Sequence, residues 1–340
     1  VSAVGEPDIG WGRAMSEMNR QGYNREKMLV DRVIATNKAV AGKDSAMKKH
    51  VLTGSAVVFG AVSGLLASAM GALADKPVDW QLSWQDSATK IADQIHWFER
   101  YSLMFIIPVT ALVMLLLLWC IVRFRKGANP VASKTSHNTT IEVIWTLGPV
   151  IILLFLAIPS FQLLTAQYSP DEPKLTVKAT GYQWYWGYEY QTDDPLSFDA
   201  LLLKDEDRAS AGKEDLAAYP RLLAVDNEVV VPVDTTVRLL VTAADVIHSW
   251  AMPAFGVKMD GIPGRNNETW FKAAREGLYY GQCSELCGKD HAFMPIAVRV
   301  VSQERYDAWF AAAKSDVSGA NKALMAAIEN DSKTVTVAGN

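Results

Sequence analysis

Two long apolar runs dominate the hydropathy pattern of the chain, one over residues 105–122 and a second over about 143–164. Each is long enough for an α-helix that crosses a bilayer, which needs ~20 mostly apolar residues. Pro149 and Pro159 fall inside the second run, where a membrane helix tolerates them because neighbouring helices satisfy the freed backbone groups. The pattern predicts a transmembrane hairpin within residues 75–168, with helices at about 101–124 and 141–164. Arg123, Arg125, Lys126 and Lys134 lie between the runs, and positive charge of this kind marks the cytoplasmic side. The segment before the first helix and everything after Gln167 then fall on the opposite side.

Beyond the second run the period shortens to two. Residues 175–180, 228–232, 236–242 and 296–301 alternate or run with β-branched residues, bounded by Pro, Gly and Asp, which predicts strands. Several short strands separated by turns imply a sandwich or small barrel over residues 172–302. Residues 204–214 are charged and contain Gly212, and read as a solvated loop. The tail, 303–340, reads as a short amphipathic helix carrying Tyr306, Trp309 and Phe310, then a polar end with little to bury.

The start of the chain differs again. Residues 1–46 are polar without periodicity, whereas Met47 opens a basic start of Lys48, Lys49 and His50, then a small apolar stretch over 51–66 and Ala72-Leu73-Ala74. Residues 47–74 have the layout of a secretory signal peptide. Met47 is then the expected natural start, residues 1–46 an upstream extension that is non-native or disordered, and the mature chain begins near Asp75. The competing reading is a third, weakly apolar membrane helix that stays attached.

Composition adds little until it is placed along the chain. The net charge of the 340 residues is −4, and Asp and Glu crowd the stretch 193–245, an acidic surface that favours a basic partner. Basic stripes interleaved with aromatics are lacking, which argues against nucleic acid as a partner. Three cysteines are too few for a disulfide framework. Cys120, inside an apolar run, reads as a small buried hydrophobe.

The other two cysteines carry chemistry. The run Gly281-Gln-Cys283-Ser-Glu285-Leu-Cys287-Gly-Lys-Asp-His291-Ala-Phe-Met294 puts two thiols, an imidazole and a thioether in one loop, and Asp245-Val-Ile-His248-Ser-Trp250 supplies a second imidazole. Soft sulfur ligands favour copper(I) or zinc, and a single-copper blue site uses one Cys, two His and a weak axial ligand. Two Cys with two His instead fit two copper ions bridged by both thiolates. A disulfide between so close a pair in an exported domain is the first alternative, and a closed structural zinc site the second.

At this point the sequence resembles cytochrome c oxidase subunit 2 over about residues 91–309. The likeness rests on Glu142-Val-Ile-Trp145-Thr146, Tyr182-Gln-Trp184-Tyr-Trp186-Gly-Tyr188-Glu189-Tyr190, Leu196-Ser-Phe-Asp199, residues 245–250, Asp260-Gly-Ile-Pro263-Gly264-Arg265 and the 281–295 loop, all in one order. The resemblance implies a membrane α plus all-β fold, a two-helix hairpin carrying a cupredoxin-like β-barrel or sandwich. It implies a binuclear copper A centre with Cys283 and Cys287 as bridges, His248 and His291 as terminal ligands, Met294 as a weak ligand to one copper and the Glu285 carbonyl as one to the other. The Glu285 side chain would reach a magnesium ion shared with the catalytic subunit; the bland alternative is a solvated carboxylate.

By the same resemblance, Trp184 is the indole through which electrons arrive from cytochrome c, and Glu189, Asp193, Asp194, Asp226 and Asp245 are carboxylates that meet it. Glu142 would lie at the cytoplasmic mouth of a proton path; locally, Thr139-x-x-Glu142 is also a capping box. Expected partners are the catalytic subunit 1, other oxidase subunits, a separate cytochrome c and the lipid bilayer, in a bacterial cytoplasmic membrane with the copper domain periplasmic. No Cys-x-x-Cys-His occurs, so the chain is expected to bind no covalent haem. The rival reading is a membrane-anchored copper-binding or delivery protein without electron transfer. Trp184 and Glu285 argue against it, because a delivery protein needs neither a point of electron uptake nor a second metal bridge.

Overall fold

The structure, a computed structural model, describes residues 74–338. The upstream extension 1–46, and the expected signal peptide 47–74 except Ala74, lie outside the described residues.

Two long helices come first, α1 (Lys90–Arg123) and α2 (Thr139–Tyr168). Helix α1 starts at Lys90 rather than near residue 101. Its first turns are polar, so hydropathy misses them, yet the Thr89 side chain accepts from the Ala92 N–H at 3.0 Å and caps the helix. The capping box of α2 is built on Asn138, not Thr139: Asn138 Oδ1 accepts from the Ile141 N–H, and Glu142 Oε1 accepts from the Asn138 N–H at 3.2 Å. Asn is the stronger N-cap, and Asn138 has the extended backbone that position needs.

Across the hairpin, the Tyr101 hydroxyl donates to the Phe155 carbonyl at 3.2 Å. That carbonyl would pair with the N–H of residue 159, which is a proline and has none. The apolar faces of both helices stay exposed. Cys120 is exposed with them, contrary to the buried role expected of it, since two helices alone leave most of their surface for lipid or other chains.

The remaining chain forms a β-sandwich. Its strands are β1 (Ala74–Asp75), β2 (Leu175–Tyr182), β3 (Tyr185–Tyr190), β4 (Leu196–Ala200), β5 (Val229–Pro232), β6 (Thr236–Ala243), β7 (His248–Met252), β8 (Val257–Gly261), β9 (Asn267–Lys272), β10 (Gly277–Cys283) and β11 (Pro295–Val301). One sheet runs β5-β11-β10-β7-β8 with β1 also on β10; the other runs β4-β3-β2-β6-β9. Strand β2 alternates buried and half-buried positions, the period-two pattern of a strand with one face on a core. Trp186, Tyr190, Leu239, Trp250, Phe255 and Ile296 fill the space between the sheets.

The sandwich grips both helices at their outer ends. The Ala88 N–H donates to Ala254 O and the Ala274 N–H to Ala88 O, each at 2.8 Å. Trp270 Nε1 donates to Gln167 O at 2.7 Å, at the end of α2. Gly256, with φ +68°, lets the sandwich touch α1, because a Cβ there would strike Ile95 and Ala92.

Residues 204–214 are mostly exposed, as expected, but they are not a plain loop: they contain a 3-10 turn (Asp205–Asp207) and a short helix, α3 (Arg208–Ala211), and bury Arg208 and Lys213. Lys213 Nζ pairs with Glu228 Oε1 at 3.0 Å, so its charge is answered inside the protein. The tail is likewise no loose polar end. After α4 (Gln303–Ala313) comes α5 (Val317–Ala338), which buries Ala320, Asn321 and Leu324 on α4 and the sandwich.

Candidate metal centre

The ends of adjacent strands bring the donors together. His248 opens β7 and Cys283 closes β10; the two strands are antiparallel, with Cys283 opposite Trp250. The Ser284 N–H donates to Ser249 O at 2.9 Å and extends the pairing into the loop that follows. That loop carries Cys287, a 3-10 turn (His291–Phe293) and Met294 before it enters β11.

The two sulfurs stand 3.9 Å apart. His248 Nδ1 lies 3.9 Å from Cys283 Sγ, and His291 Nδ1 lies 3.5 Å from Cys287 Sγ. Met294 Sδ is 3.4 Å from Cys287 Sγ, and the Glu285 carbonyl is 3.4 Å from Cys283 Sγ. The ligating atoms of His248, Cys283 and Cys287 all fall within 4.8 Å of one another. Both thiols are free, far outside the ~2.0 Å of a disulfide. The donor set fits a soft or borderline metal, and the thioether favours copper over zinc.

His248 is fully buried, its ring edge-on to Trp186 at 6.0 Å. A Cβ on Gly181 would stand 2.7 and 2.8 Å from two atoms of that ring and 2.9 Å from the His248 Cβ, so only glycine leaves room for the side chain. His248 Nε2 pairs with Asp245 Oδ1 at 2.9 Å, which leaves Nδ1 as the lone-pair nitrogen facing Cys283. Asp245 also accepts from the N–H groups of Val246 and Gln183, at 2.6 and 2.7 Å.

These contacts order the ionisations. Burial works against the Asp245 carboxylate, but His248 and the two backbone N–H groups prevail and hold it below the usual range. Burial would lower His248, yet its bonds to Cys283 and Asp245 raise it. Burial opposes the Cys283 thiolate too; the His248 bond and nearby backbone groups bring it down to about 7. Burial and the neighbouring Cys283 push Cys287 up to about 12. The two thiols are thus pushed in opposite directions, Cys283 by its hydrogen bonds and Cys287 by burial beside Cys283.

Trp184 sits half-buried in the turn between β2 and β3, its Nε1 donating to the Cys287 carbonyl at 3.3 Å. Lys289 Nζ stands 5.5 Å from the centre of its ring. Glu285 is exposed beside the centre. The acidic residues are less uniform. Asp193 and Asp194 are exposed, with Asp194 paired to Lys314 at 2.7 Å, and Glu189 lies across from Lys178 on β2. Asp226 turns inward and accepts from the Leu201 and Asn227 N–H groups, where burial raises its pKa. Glu142 is at the far end of α2 from the centre, a helix about 45 Å long at 1.5 Å per residue.

Sequence reasoning assigned no role to Gly181 and Gln183, which shape the centre from outside the ligand loop, or to Gly288, which does so from within it. It also missed an exposed apolar rim of Val246, Ile247, Leu286 and Phe293. Their only signal is apolar residues standing within otherwise polar motifs.

The family description "Cytochrome C oxidase subunit II, transmembrane domain" matches residues 77–163, and "Cytochrome C oxidase subunit II, periplasmic domain" matches residues 175–301. The chain belongs to the cytochrome c oxidase subunit 2 family. It is 46% identical to a probable cytochrome c oxidase subunit 2 of Rickettsia felis over 254 residues, 74% of this chain and 78% of that one. It is 42% identical to cytochrome c oxidase subunit 2 of Cereibacter sphaeroides over 283 residues, 78% of this chain and 93% of that one. A solved structure of the periplasmic domain of the Bradyrhizobium japonicum subunit II is 55% identical, with 43% of this chain and 98% of that chain covered and a TM-score of 0.39. Subunit 2 is part of the haem-copper oxidase complex, an oxidoreductase, and its partners are oxidase subunits. The helix pair makes this a membrane protein, with the cupredoxin-like sandwich the resemblance implied.

Proposed function

We propose that this subunit accepts electrons from cytochrome c at a binuclear copper A centre held by Cys283, Cys287, His248, His291, Met294 and the Glu285 carbonyl, and passes them to the haem and copper centres of the catalytic subunit, where oxygen is reduced to water and protons are pumped. The observation that carries this is the pair of free thiols 3.9 Å apart with one imidazole Nδ1 facing each. Copper held by Cys283, Cys287, His248 and His291 would supply a one-electron relay.

The chain's own groups do the rest. Asp245 fixes the His248 ring, and Trp184, bonded to the Cys287 carbonyl, offers an indole for electron uptake within one residue of the ligands. The rim of Ile247, Leu286 and Phe293 can exclude water where a partner docks, while Glu189, Asp193, Asp194 and Asp245 supply charge for a basic cytochrome. Asp226 contributes to that field, with its Oδ1 held by the Leu201 and Asn227 N–H groups. The exposed Glu285 side chain is free for a magnesium ion shared with the catalytic subunit. The sandwich is periplasmic, because Arg123, Arg125, Lys126 and Lys134 hold the short connection between helices in the cytoplasm. Glu142, there at the mouth of a proton path, is held by its cap bond. A signal peptide at 47–74 would export the chain.

The delivery-protein reading fares worse because His248 is fully buried and Met294 nearly so, whereas a donor of copper needs ligands a recipient can reach. Electron paramagnetic resonance of the oxidised, copper-loaded subunit tests the proposal. Hyperfine coupling to two equivalent copper nuclei is expected; a one-copper pattern refutes it.

A further inference from the structure

The turn between β2 and β3 touches two ligand systems that are far apart in sequence. The Gln183 N–H donates to Asp245 Oδ2 at 2.7 Å, and Asp245 Oδ1 accepts from His248 Nε2 at 2.9 Å. The Gln183 side-chain Nε2 donates to the Cys287 carbonyl at 2.7 Å, a shorter bond than the 3.3 Å contact from Trp184 Nε1 to the same oxygen. Gly288, at φ +130°, makes this approach possible: a Cβ there would lie 3.0 Å from the Trp184 ring and 3.1 Å from Gln183 Nε2. His291, on the other side of the centre, is only half-buried.

We infer that Gln183 is a positioning residue for the metal centre, whose side-chain amide clamps the Cys287 peptide while its backbone N–H holds Asp245 against His248. Resting on the copper reading above, this makes one residue responsible for the relative placement of a bridging thiol and a terminal imidazole. Clamping Cys287 at its carbonyl fixes the direction of its Cα–Cβ bond, and hence where the sulfur stands with respect to Cys283. The exposed position of Gln183 conceals this role, because surface glutamines are ordinarily solvated.

The test uses the full-length subunit and three variants. Gln183→Leu removes the donor at similar volume; Gln183→Glu keeps the shape but offers an acceptor; Gln183→Lys restores a donor of similar reach. The backbone N–H to Asp245 survives in all three. Copper content and the resonance spectrum of the unsubstituted subunit are measured first, so that failure of the copper reading shows there, independently of any variant. Loss of one neutral hydrogen bond, ~1 kcal/mol, predicts about fivefold faster release of copper to a chelator in Gln183→Leu. The same variant should show unequal coupling to the two nuclei and an altered reduction potential, with Gln183→Glu at least as affected and Gln183→Lys close to the unsubstituted protein. A second measurement needs no metal: alkylation of Cys287 in the copper-free subunit should accelerate in Gln183→Leu and Gln183→Glu and not in Gln183→Lys. Release rates, spectra and alkylation rates equal to those of the unsubstituted subunit in Gln183→Leu or Gln183→Glu overturn the inference.

Discussion

At the scale of single residues, the centre depends as much on what surrounds the ligands as on the ligands. Asp245→Ala removes the acceptor for His248 Nε2 and for the Gln183 N–H together. Copper affinity, measured by competition with a chelator, should fall about 10- to 100-fold, the usual cost of removing such a supporting group. Gly181→Ala forces a methyl carbon to within 2.9 Å of the His248 ring. The copper-loaded variant should lose the two-copper hyperfine pattern while its far-ultraviolet circular dichroism stays unchanged. The grouping of His248, Cys283, Cys287, His291 and Met294 was legible in the sequence, because two thiols, two imidazoles and a thioether are uncommon residue types. Gly181 and Gln183 were not, since they meet the ligands only when β2 lies across the core from β7. Asp226 could not be told from the other acids by type; only its bonds to Leu201 and Asn227 reveal that it faces inward.

Among the elements, the helix pair shows the clearest division between what hydropathy reads and what it cannot. The apolar cores of α1 and α2 were evident, but the capped, polar beginning of α1 was not. Nor does hydropathy reveal the bond from Tyr101 to the carbonyl that Pro159 leaves unpaired. Tyr101→Phe deletes that bond in an apolar environment, and should lower the stability of the hairpin by about 1 kcal/mol. Thermal unfolding of the purified subunit in detergent micelles is the check; an unshifted midpoint would mean that water or lipid satisfies Phe155 equally well. Strands rich in β-branched residues, such as β2, β6 and β11, were recognisable by period. Strands β7, β8, β9 and β10 were not picked out, because functional residues, glycines and buried aromatics break their alternation.

On the scale of the whole molecule, an ion network fastens the excursion between β4 and β5 to the sandwich. Glu228 lies fully buried between Lys213, at 3.0 Å, and Arg299, at 2.5 Å. Burial would raise its pKa, but the two cations prevail and hold it at about 2, against an ordinary 4.5. The unfolded chain therefore takes up a proton first as pH falls. The stabilisation is complete above about 4.5 and is lost as pH drops toward 2. Urea midpoints of the subunit should fall across that window. In Glu228→Gln they should start lower at pH 7, reflecting a stability loss of about 3–5 kcal/mol for two buried cations left without their anion, and respond less to acid. The charged composition that made residues 204–214 look solvated is the same composition that builds this network, and sequence alone does not say which charges find partners. The way the sandwich grips the helices has a further mechanical consequence. It is sewn to the start of α1 through Ala88 and to the end of α2 through Trp270. Attachment at two separate helix ends removes the swivel that a single tether would leave. The sandwich must therefore follow the helix pair when it tilts, and the candidate centre keeps its place relative to the two helix ends.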